Sequence, residues 1–205
     1  MTGPTHRQYS ICFALVTAIF FYKHSITEID YYLTLPILLM AGKAGSLFPD
    51  VDHTWQNVHD KTYINKIINT LIHITGGKHR SWQTHSWDIC ILFTICSYII
   101  PNMLYSYNMI SEVNKEIGSL LLIGFSAGWI SHLFSDMLTS AGVKLICFSS
   151  FKLKLVPKQI GSLRFNTGHA WESFNYKLMR ILNLIIGIIS LIYPFIININ
   201  IFTKQ

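Results

Sequence analysis

Five long apolar segments divide this chain and limit its fold more than any other feature. Apolar residues make up 51% of the 205 residues and charged residues only 13%, about half of the usual charged share of roughly 25%. A water-soluble domain of this size could not bury so much apolar surface, so we expect an all-α integral membrane protein. We expect about five membrane helices, over residues 9–22, 31–48, 89–107, 117–138 and 178–202.

The chain contains no low-complexity linker, so we expect a single domain over residues 1–205. Arg7 before a short apolar core is typical of a signal peptide, but no A-x-A cleavage site follows, which favours retention of the segment. Packing roles are expected for the cysteines, because they show no C-x-x-C spacing and three of the four lie in apolar segments: Cys12, Cys90, Cys96 and Cys147.

The lysines and arginines predict the orientation of the chain. If the N-terminus is cytoplasmic and all five segments cross, twelve basic residues lie on the inside and three on the outside. This asymmetry is typical of cytoplasmic loops. We therefore expect a multi-pass protein whose N-terminus lies on the cytoplasmic side. The fourth segment also contains Gly124-x-x-x-Gly128, a signal for close packing between membrane helices.

The loop between the last two segments predicts a short β-hairpin near residues 145–168. Residues 151–156 alternate apolar and basic side chains, Pro157 ends this run, and Gly161-Ser162 turns the chain into residues 163–165. The hairpin would lie on the cytoplasmic membrane surface with its lysines toward anionic head groups. An irregular, solvated basic loop is the alternative.

Four clusters of histidine and aspartate fall at the cytoplasmic ends of these segments. Of their residues, only Arg80 entered the charge count, so their location on one face is independent of the orientation argument. Charged groups beside membrane helices are costly unless a cation compensates them. The pattern therefore predicts a divalent metal site, with the ligands His6, Asp50, Asp52, His53, His79, His85, His132 and Asp136.

Each cluster taken alone also has an ordinary interpretation. Pro-Asp-x-Asp-His could be a helix N-cap and turn, and residues 84–88 could cap the third segment. His132 and Asp136 are harder to explain in this way, because they lie one turn apart on one face of an apolar helix. Incidental roles are expected for His24, His59 and His73, while His169 lies close to Glu172 in the sequence.

Three motifs resemble the YdjM-like family, a family of LexA-regulated inner-membrane proteins expected to be metal-dependent hydrolases. They are Leu47-Phe48-Pro49-Asp50-Val51-Asp52-His53, His79-Arg80 with Thr84-His85-Ser86, and the run from His132 to Val143. The resemblance covers residues 6–172 and implies a bacterial inner-membrane location. It also implies a distant link to the zinc-dependent phospholipase C and single-strand nuclease superfamily, which builds multi-metal sites from His and Asp on helices.

One spacing differs from the family pattern. The family usually has two residues between the arginine and the threonine of His-Arg-x-x-Thr-His-Ser, whereas three separate Arg80 from Thr84 here. The extra residue changes the direction of His79 relative to His85. Residues 164–172 resemble the family's Thr-Gly-x-x-Glu ending only loosely.

The residues and the resemblance together predict a membrane-bound hydrolase of a phosphoester, such as a phospholipid or a lipid-linked phosphate. Two or three ions are expected, zinc first, with manganese or iron as alternatives. Asp52 or Asp136 would bridge the ions and activate water, and Glu172 would act as a general acid or orient a histidine. The substrate would be bound by Arg80, Lys78 and Thr84.

Two other classes of function stay open at this point. One is a non-enzymatic membrane protein that binds metal for structure or transports it. A transporter would need polar residues along the spans, but these thin out beyond the cytoplasmic third, apart from Lys43. Nucleic-acid binding has only the net charge of +6 in its favour. The expected partners are therefore the lipid bilayer and an amphiphilic phosphoester, without nucleic acid.

Overall fold

The computed structural model describes residues 2–23, 30–54, 62–156 and 170–202. Over these residues the chain forms six helices, one 3-10 turn and one two-stranded sheet. In chain order the elements are α1 (Gly3–Lys23), α2 (Tyr31–Leu47), the 3-10 turn Pro49–Asp52, α3 (Tyr63–Ile74), α4 (Trp87–Ser106), α5 (Glu112–Met137), β1 (Val143–Lys144), β2 (Lys152–Leu153) and α6 (Ala170–Phe202).

Helices occupy all five of the predicted apolar segments, but only three of them are long and apolar enough to cross a membrane. These are α4, α5 and the part of α6 that ends at Pro194. With 17 residues, α2 spans about 26 Å against a hydrocarbon thickness of about 30 Å. Polar residues at its start (His6, Arg7 and Gln8) reduce the hydropathy of α1. The described residues thus give three candidate spans, and the prediction of about five is not confirmed.

Helix α5 is the centre of the bundle, since it packs against α1, α2 and α4. Half of the most apolar stretch of α5 is buried, whereas the corresponding stretches of α4 and α6 are mostly exposed. Leu120 and Leu133 of α5 lie in two separate apolar clusters, one with α1 and α2 and one with α4. The exposed apolar faces of α4 and α6 are suited to contact with lipid. The four cysteines all lie within the described residues and are free.

Helices α2 and α5 approach each other closely because glycines face each other at their contact. A Cβ at Gly45 would overlap the backbone of Phe125, and one at Gly128 would overlap the carbonyl of Gly42. The close-packing role predicted for Gly124-x-x-x-Gly128 is thereby confirmed. This contact brings the C-terminal turns of α2 and α5 side by side.

Five helix termini meet at one end of the bundle, which we call the site end. The start of α1 and the end of α5 are joined by His6 and Ser135, and the ends of α2 and α5 by Ser46 and His132. The starts of α1 and α6 are joined by a hydrogen bond from the Thr2 hydroxyl to Glu172. The start of α4 follows the loop that carries Thr84 and His85. The alternating direction of α1, α2, α4, α5 and α6 along the chain therefore gathers residues that are far apart in the sequence.

A two-stranded antiparallel sheet follows α5 at the site end. Val143 lies opposite Leu153, and Lys144 lies opposite Lys152. The strand predicted within residues 151–156 is confirmed at β2, but its partner is the segment directly after α5. Gly142, at φ 66°, turns the chain into β1, and burial of Val143 against α5 and α4 holds that strand in place. The predicted partner, residues 163–165, lies outside the described residues.

Helix α3 was not predicted from the apolar pattern. Thr62 caps its start by accepting a hydrogen bond from the backbone N–H of Asn65. The side chain of Asn69 donates to the carbonyls of Val51 and His53. These two bonds attach α3 to the segment that carries Asp50 and Asp52.

Candidate metal centre

Four segments of the chain bring imidazoles and carboxylates together at the site end. Each of the central groups is at most 2% exposed. Burial of several titratable groups without compensation costs several kcal/mol per charge, so the arrangement requires either dense hydrogen bonding or a bound cation. The groups are His6 of α1, Asp52 of the 3-10 turn, His85 before α4, and His132 and Asp136 of α5.

The tautomer of His132 follows from its hydrogen bond to the end of α2. Its Nδ1 lies 2.7 Å from the carbonyl oxygen of Ser46, which can only accept, so Nδ1 carries the proton. The lone pair is therefore on Nε2, 3.8 Å from oxygens of both Asp50 and Asp136. This Nε2 is buried and has no hydrogen-bond partner among the described residues.

His85 presents a second buried nitrogen of the same kind. Its Nδ1 lies 3.0 Å from Oδ2 of Asp52, so the carboxylate holds the proton on Nδ1 and leaves the lone pair on Nε2. That Nε2 is also buried, without a hydrogen-bond partner in the described part of the chain, and it lies 3.7 Å from Oδ2 of Asp136. Two nitrogen lone pairs thus converge on the same carboxylate.

His6 completes this buried group from the first helix. Its ring stacks on the ring of His132, with centroids 3.8 Å apart, and its Nε2 lies 3.7 Å from Oδ1 of Asp136. The Nδ1 atom is 2.6 Å from the hydroxyl of Ser135. Burial, and after it the neighbouring His132 ring, holds the pKa of His6 well below its ordinary value. His6 is therefore neutral at pH 7 and can offer a lone pair.

The donor atoms form three groups that could hold a metal ion, each with its atoms within 4.8 Å of one another. Two ligands of one zinc ion in a tetrahedral site lie about 3.4 Å apart, given metal–ligand bonds of about 2.0–2.1 Å. The separations of 3.7–4.0 Å found here are close to this value and too long for hydrogen bonds. The groups are His6, His132 and Asp136; Asp50, His85 and His132; and Asp50, His53 and His79.

Asp52 has different surroundings from Asp136 and belongs to none of these three groups. Its Oδ1 lies 3.0 Å from Nδ1 of His79, and its Oδ2 accepts from the backbone N–H of Ser81 and the hydroxyl of Thr84. Burial alone would raise the pKa of Asp52, but the hydrogen bonds from His79 and His85 outweigh it and lower the pKa. Asp52 is an ionised carboxylate that orients two histidines, and its predicted bridging role stays a prediction.

The third group is the more open one. The rings of His53 and His79 stack with centroids 3.5 Å apart, and their side chains are 30% and 38% exposed. Burial, followed by the nearby His79, lowers the pKa of His53, so its lone pair is available at pH 7. Despite the extra residue before Thr84, both His79 and His85 contact Asp52 through Nδ1.

Arg80 lies between the buried group and the protein surface. Its backbone has φ 61°, a conformation that is unusual for a residue other than glycine and is often found at functional sites. The guanidinium donates to Oδ1 of Asp136 at 3.2 Å and to Thr139 at 3.4 Å. About a fifth of the side chain is exposed, so the cation contacts both the buried carboxylate and the surface.

The remaining predicted site residues lie at different depths. Thr84 is buried and donates to Asp52 at 2.6 Å. Glu172 is buried and accepts from the backbone N–H and the hydroxyl of Thr2, just before α1. Lys78 is exposed. The structure thus joins Thr84 to the histidine-orienting carboxylate and Glu172 to the start of the helix that carries His6.

Among the described residues, one further histidine lies beside the third group. His73 is exposed, and its Nε2 lies 3.3 Å from the carbonyl of His53. His24, His59 and His169 lie outside the described residues. Sequence reasoning missed the orienting contacts of Ser46, Ser135 and Asn69. Of these, only Ser135 had a signal, its position inside the His132–Val143 motif.

Comparison with known proteins agrees with the motifs that surround these ligands. A relative in Bacillus subtilis (strain 168), named as the uncharacterized protein YvsG, is 28% identical over 158 residues, which are 76% of this chain and 78% of the relative. No solved structure matches the chain. Residues 1–201 match the profile of the family described as YdjM inner membrane protein. Because this match covers nearly the whole chain, the protein belongs to the YdjM inner membrane protein family.

Proposed function

We propose that this chain is a membrane-bound, metal-dependent hydrolase of an amphiphilic phosphoester, such as a phospholipid or a lipid-linked phosphate. The observation that carries the proposal is the pair of buried Nε2 atoms of His85 and His132. Both face Asp136, and neither has a hydrogen-bond partner within the residues that the structure describes. Such atoms are costly when buried unless they bind something. A divalent cation satisfies both at once.

The donor set supports two ions. Two of the three groups share no residue, namely His6 with His132 and Asp136, and Asp50 with His53 and His79. The mixture of imidazole and carboxylate ligands favours zinc, with manganese or iron as alternatives. His132 offers a single lone pair, so it serves one ion at a time, and Asp136 offers two oxygens beside His6 and His85.

The groups around the ligands suit hydrolysis of a phosphoester. A divalent ion bound here would supply Lewis acidity, which activates water and stabilises negative charge on phosphate oxygens. Arg80 has N–H groups beyond those that bind Asp136 and Thr139, and its fork can bind a phosphate oxygen. In the overall reaction, water adds to phosphorus, the bond to the alcohol oxygen breaks, and the alcohol leaves with a proton. Asp52 holds His79 and His85 in position throughout.

The location of the ligands favours an enzyme of the membrane surface over a transporter. Within the described residues, all three groups of candidate ligands lie at the site end. No series of such groups continues along the described parts of the spans. Lys43 is exposed one turn before the end of α2, where its side chain can reach the membrane surface. The excess of basic residues in the loops at this end supports a cytoplasmic location of the site.

The proposal is tested with purified protein that has been loaded with zinc or manganese. We expect release of phosphate or of a phosphorylated head group from lipid phosphoesters in mixed micelles, and loss of this release on addition of a chelator. His132→Gln and Asp136→Asn should lose the ion of the buried group, measured as a lower metal content by elemental analysis, and should also lose the activity. The first substitution removes a nitrogen lone pair and the second an anionic oxygen.

Asp30→Asn is the matched control, because this exposed aspartate caps α2 and asparagine caps equally well. The control should keep both metal and activity. If His132→Gln and Asp136→Asn keep the full metal content of the wild type, the proposed site is wrong. If the wild type binds metal but hydrolyses none of a broad panel of phosphoesters, the protein is a metal-binding protein rather than a hydrolase.

A further inference from the structure

Helix α3 carries an apolar stripe that points away from the rest of the protein. The stripe consists of five side chains that are between 46% and 80% exposed: Tyr63, Ile64, Ile67, Leu71 and Ile74. At about 100° per residue these positions occupy a sector of roughly 100°. Asn69 and Ile72 are buried on the opposite side of the helix. The stripe is therefore a separate apolar face of α3, distinct from the face that packs on the protein.

The position of α3 relative to the membrane helices indicates what covers the stripe. Asn69 binds the carbonyls of Val51 and His53, at the site end of the bundle. The next helix along the chain, α4, is a candidate span, as are α5 and α6. A helix at the end of such a bundle, with an outward apolar stripe, is suited to lie in the plane of the membrane interface. Lys66, beside the stripe, is exposed and can reach anionic head groups.

Other exposed apolar side chains surround the site end in the same way. Phe148 is 90% exposed, and its ring lies 6.2 Å from that of Trp82, in the loop between Arg80 and His85. Phe151, next to β2, is also exposed. Aromatic side chains are typical of the membrane interface. Exposed apolar side chains thus lie beside the loop of Arg80 and His85 as well as on α3.

We propose that the stripe of α3 inserts into the lipid leaflet at the site end and anchors the loop of Asp50, Asp52 and His53 at the level of the head groups. The link is rigid, because Asn69 on the inner face of α3 is hydrogen-bonded to that loop. Docking of α3 on lipid does not require hydrolysis. The proposal therefore goes beyond the proposed function and can be tested without an assay of activity.

The test uses the full-length protein in vesicles of phosphatidylethanolamine and phosphatidylglycerol. A benzophenone amino acid, which inserts into nearby C–H bonds on illumination, replaces Ile67 or Leu71 in separate variants. Both positions are exposed, so the substitution leaves the core intact. We expect covalent adducts with lipid acyl chains, detected by mass spectrometry of the chain.

Position 66 is the matched control, since Lys66 is the next residue along and points about 100° away from Ile67 around the helix. Its lipid adduct should be several-fold weaker. Ile95, exposed on α4, is the positive control within a candidate span. Three results would overturn the proposal: unreacted label at both stripe positions, crosslinks to a second copy of the chain instead of lipid, or equal lipid adducts at positions 66 and 67.

Discussion

Asp52 and Asp136 are both buried aspartates among histidines, yet their neighbours give them different roles. Asp52 accepts from Nδ1 of two histidines, a backbone N–H and a hydroxyl. Asp136 instead lies 3.7–3.8 Å from three Nε2 atoms, those of His6, His85 and His132. A neutral histidine that carries its proton on Nδ1 has a free lone pair on Nε2. Asp52, which contacts Nδ1, therefore orients candidate ligands, whereas Asp136, which faces Nε2, is placed to be a ligand itself.

The difference predicts the outcome of Asp52→Asn. The substitution keeps the shape of the side chain but removes the charge that holds the protons of His79 and His85 on Nδ1. Loss of such an orienting carboxylate lowers metal affinity by roughly 10–100-fold. Competition titration of purified protein against a zinc-binding dye measures the change. Complete loss of metal would show that Asp52 is itself a ligand, and unchanged affinity would show that it does not orient the histidines.

At the scale of the elements, the contact between α2 and α5 sets the geometry of the centre. The carbonyl of Ser46, at the end of α2, fixes the tautomer of His132 on α5. That bond needs the two backbones to approach as closely as Gly45 and Gly128 allow. The close approach of these helices is thus linked to the direction of a ligand lone pair.

Gly128→Ala is expected to separate α2 from α5. The added Cβ would overlap backbone atoms, which cannot move aside as a flexible side chain could, and overpacking of this kind costs about 1–3 kcal/mol or more. Thermal unfolding in detergent should show a lower Tm, together with a lower metal content. Gly118→Ala is the matched control on the same helix, where a Cβ meets nothing within 4 Å. It should be neutral or raise the stability by up to about 1 kcal/mol. Equal effects of the two substitutions would argue against the close contact.

At the scale of the whole molecule, the centre joins four segments that are otherwise held by separate contacts. His6 brings in α1, Asp50 the 3-10 turn, His85 the loop before α4, and His132 the end of α5. An ion that binds this arrangement binds the native state and not the unfolded chain, in which these groups are far apart. Metal binding should therefore stabilise the entire bundle.

Removal of metal is expected to lower the Tm of the wild-type protein. Ligand present at 100 times its dissociation constant stabilises the native state by about 2.7 kcal/mol, which for a chain of this length corresponds to roughly 5 °C or more. Unfolding followed by fluorescence, with and without a chelator and after zinc is added back, measures the shift. His132→Gln should respond less to the chelator than the wild type, because it lacks a ligand of one of the two proposed ions. A wild-type Tm that ignores chelator and zinc alike would mean that the native state holds no metal.

Local sequence patterns were sufficient to predict five of the six described helices and to name candidate ligands. Apolar runs predict helices because each run is continuous along the chain, and all five are helical in the structure. The clustering of His132 and Asp136 follows from helical spacing alone. The location of the clusters at one end follows from alternation of the helices. Helix α3 was missed because its stripe is short and interrupted by polar residues.

The roles of individual side chains depend on contacts that no local pattern contains. Which histidine nitrogen is free is decided by Ser46 for His132 and by Asp52 for His85, residues 86 and 33 positions away. The partner of β2 is likewise decided by burial of Val143 against α4 and α5. The sequence by itself thus determined the long apolar helices, the apolar surface and the supply of candidate ligands, because these depend on neighbours along the chain. Only the tertiary structure decided which atoms face one another, because that depends on the packing of helix ends.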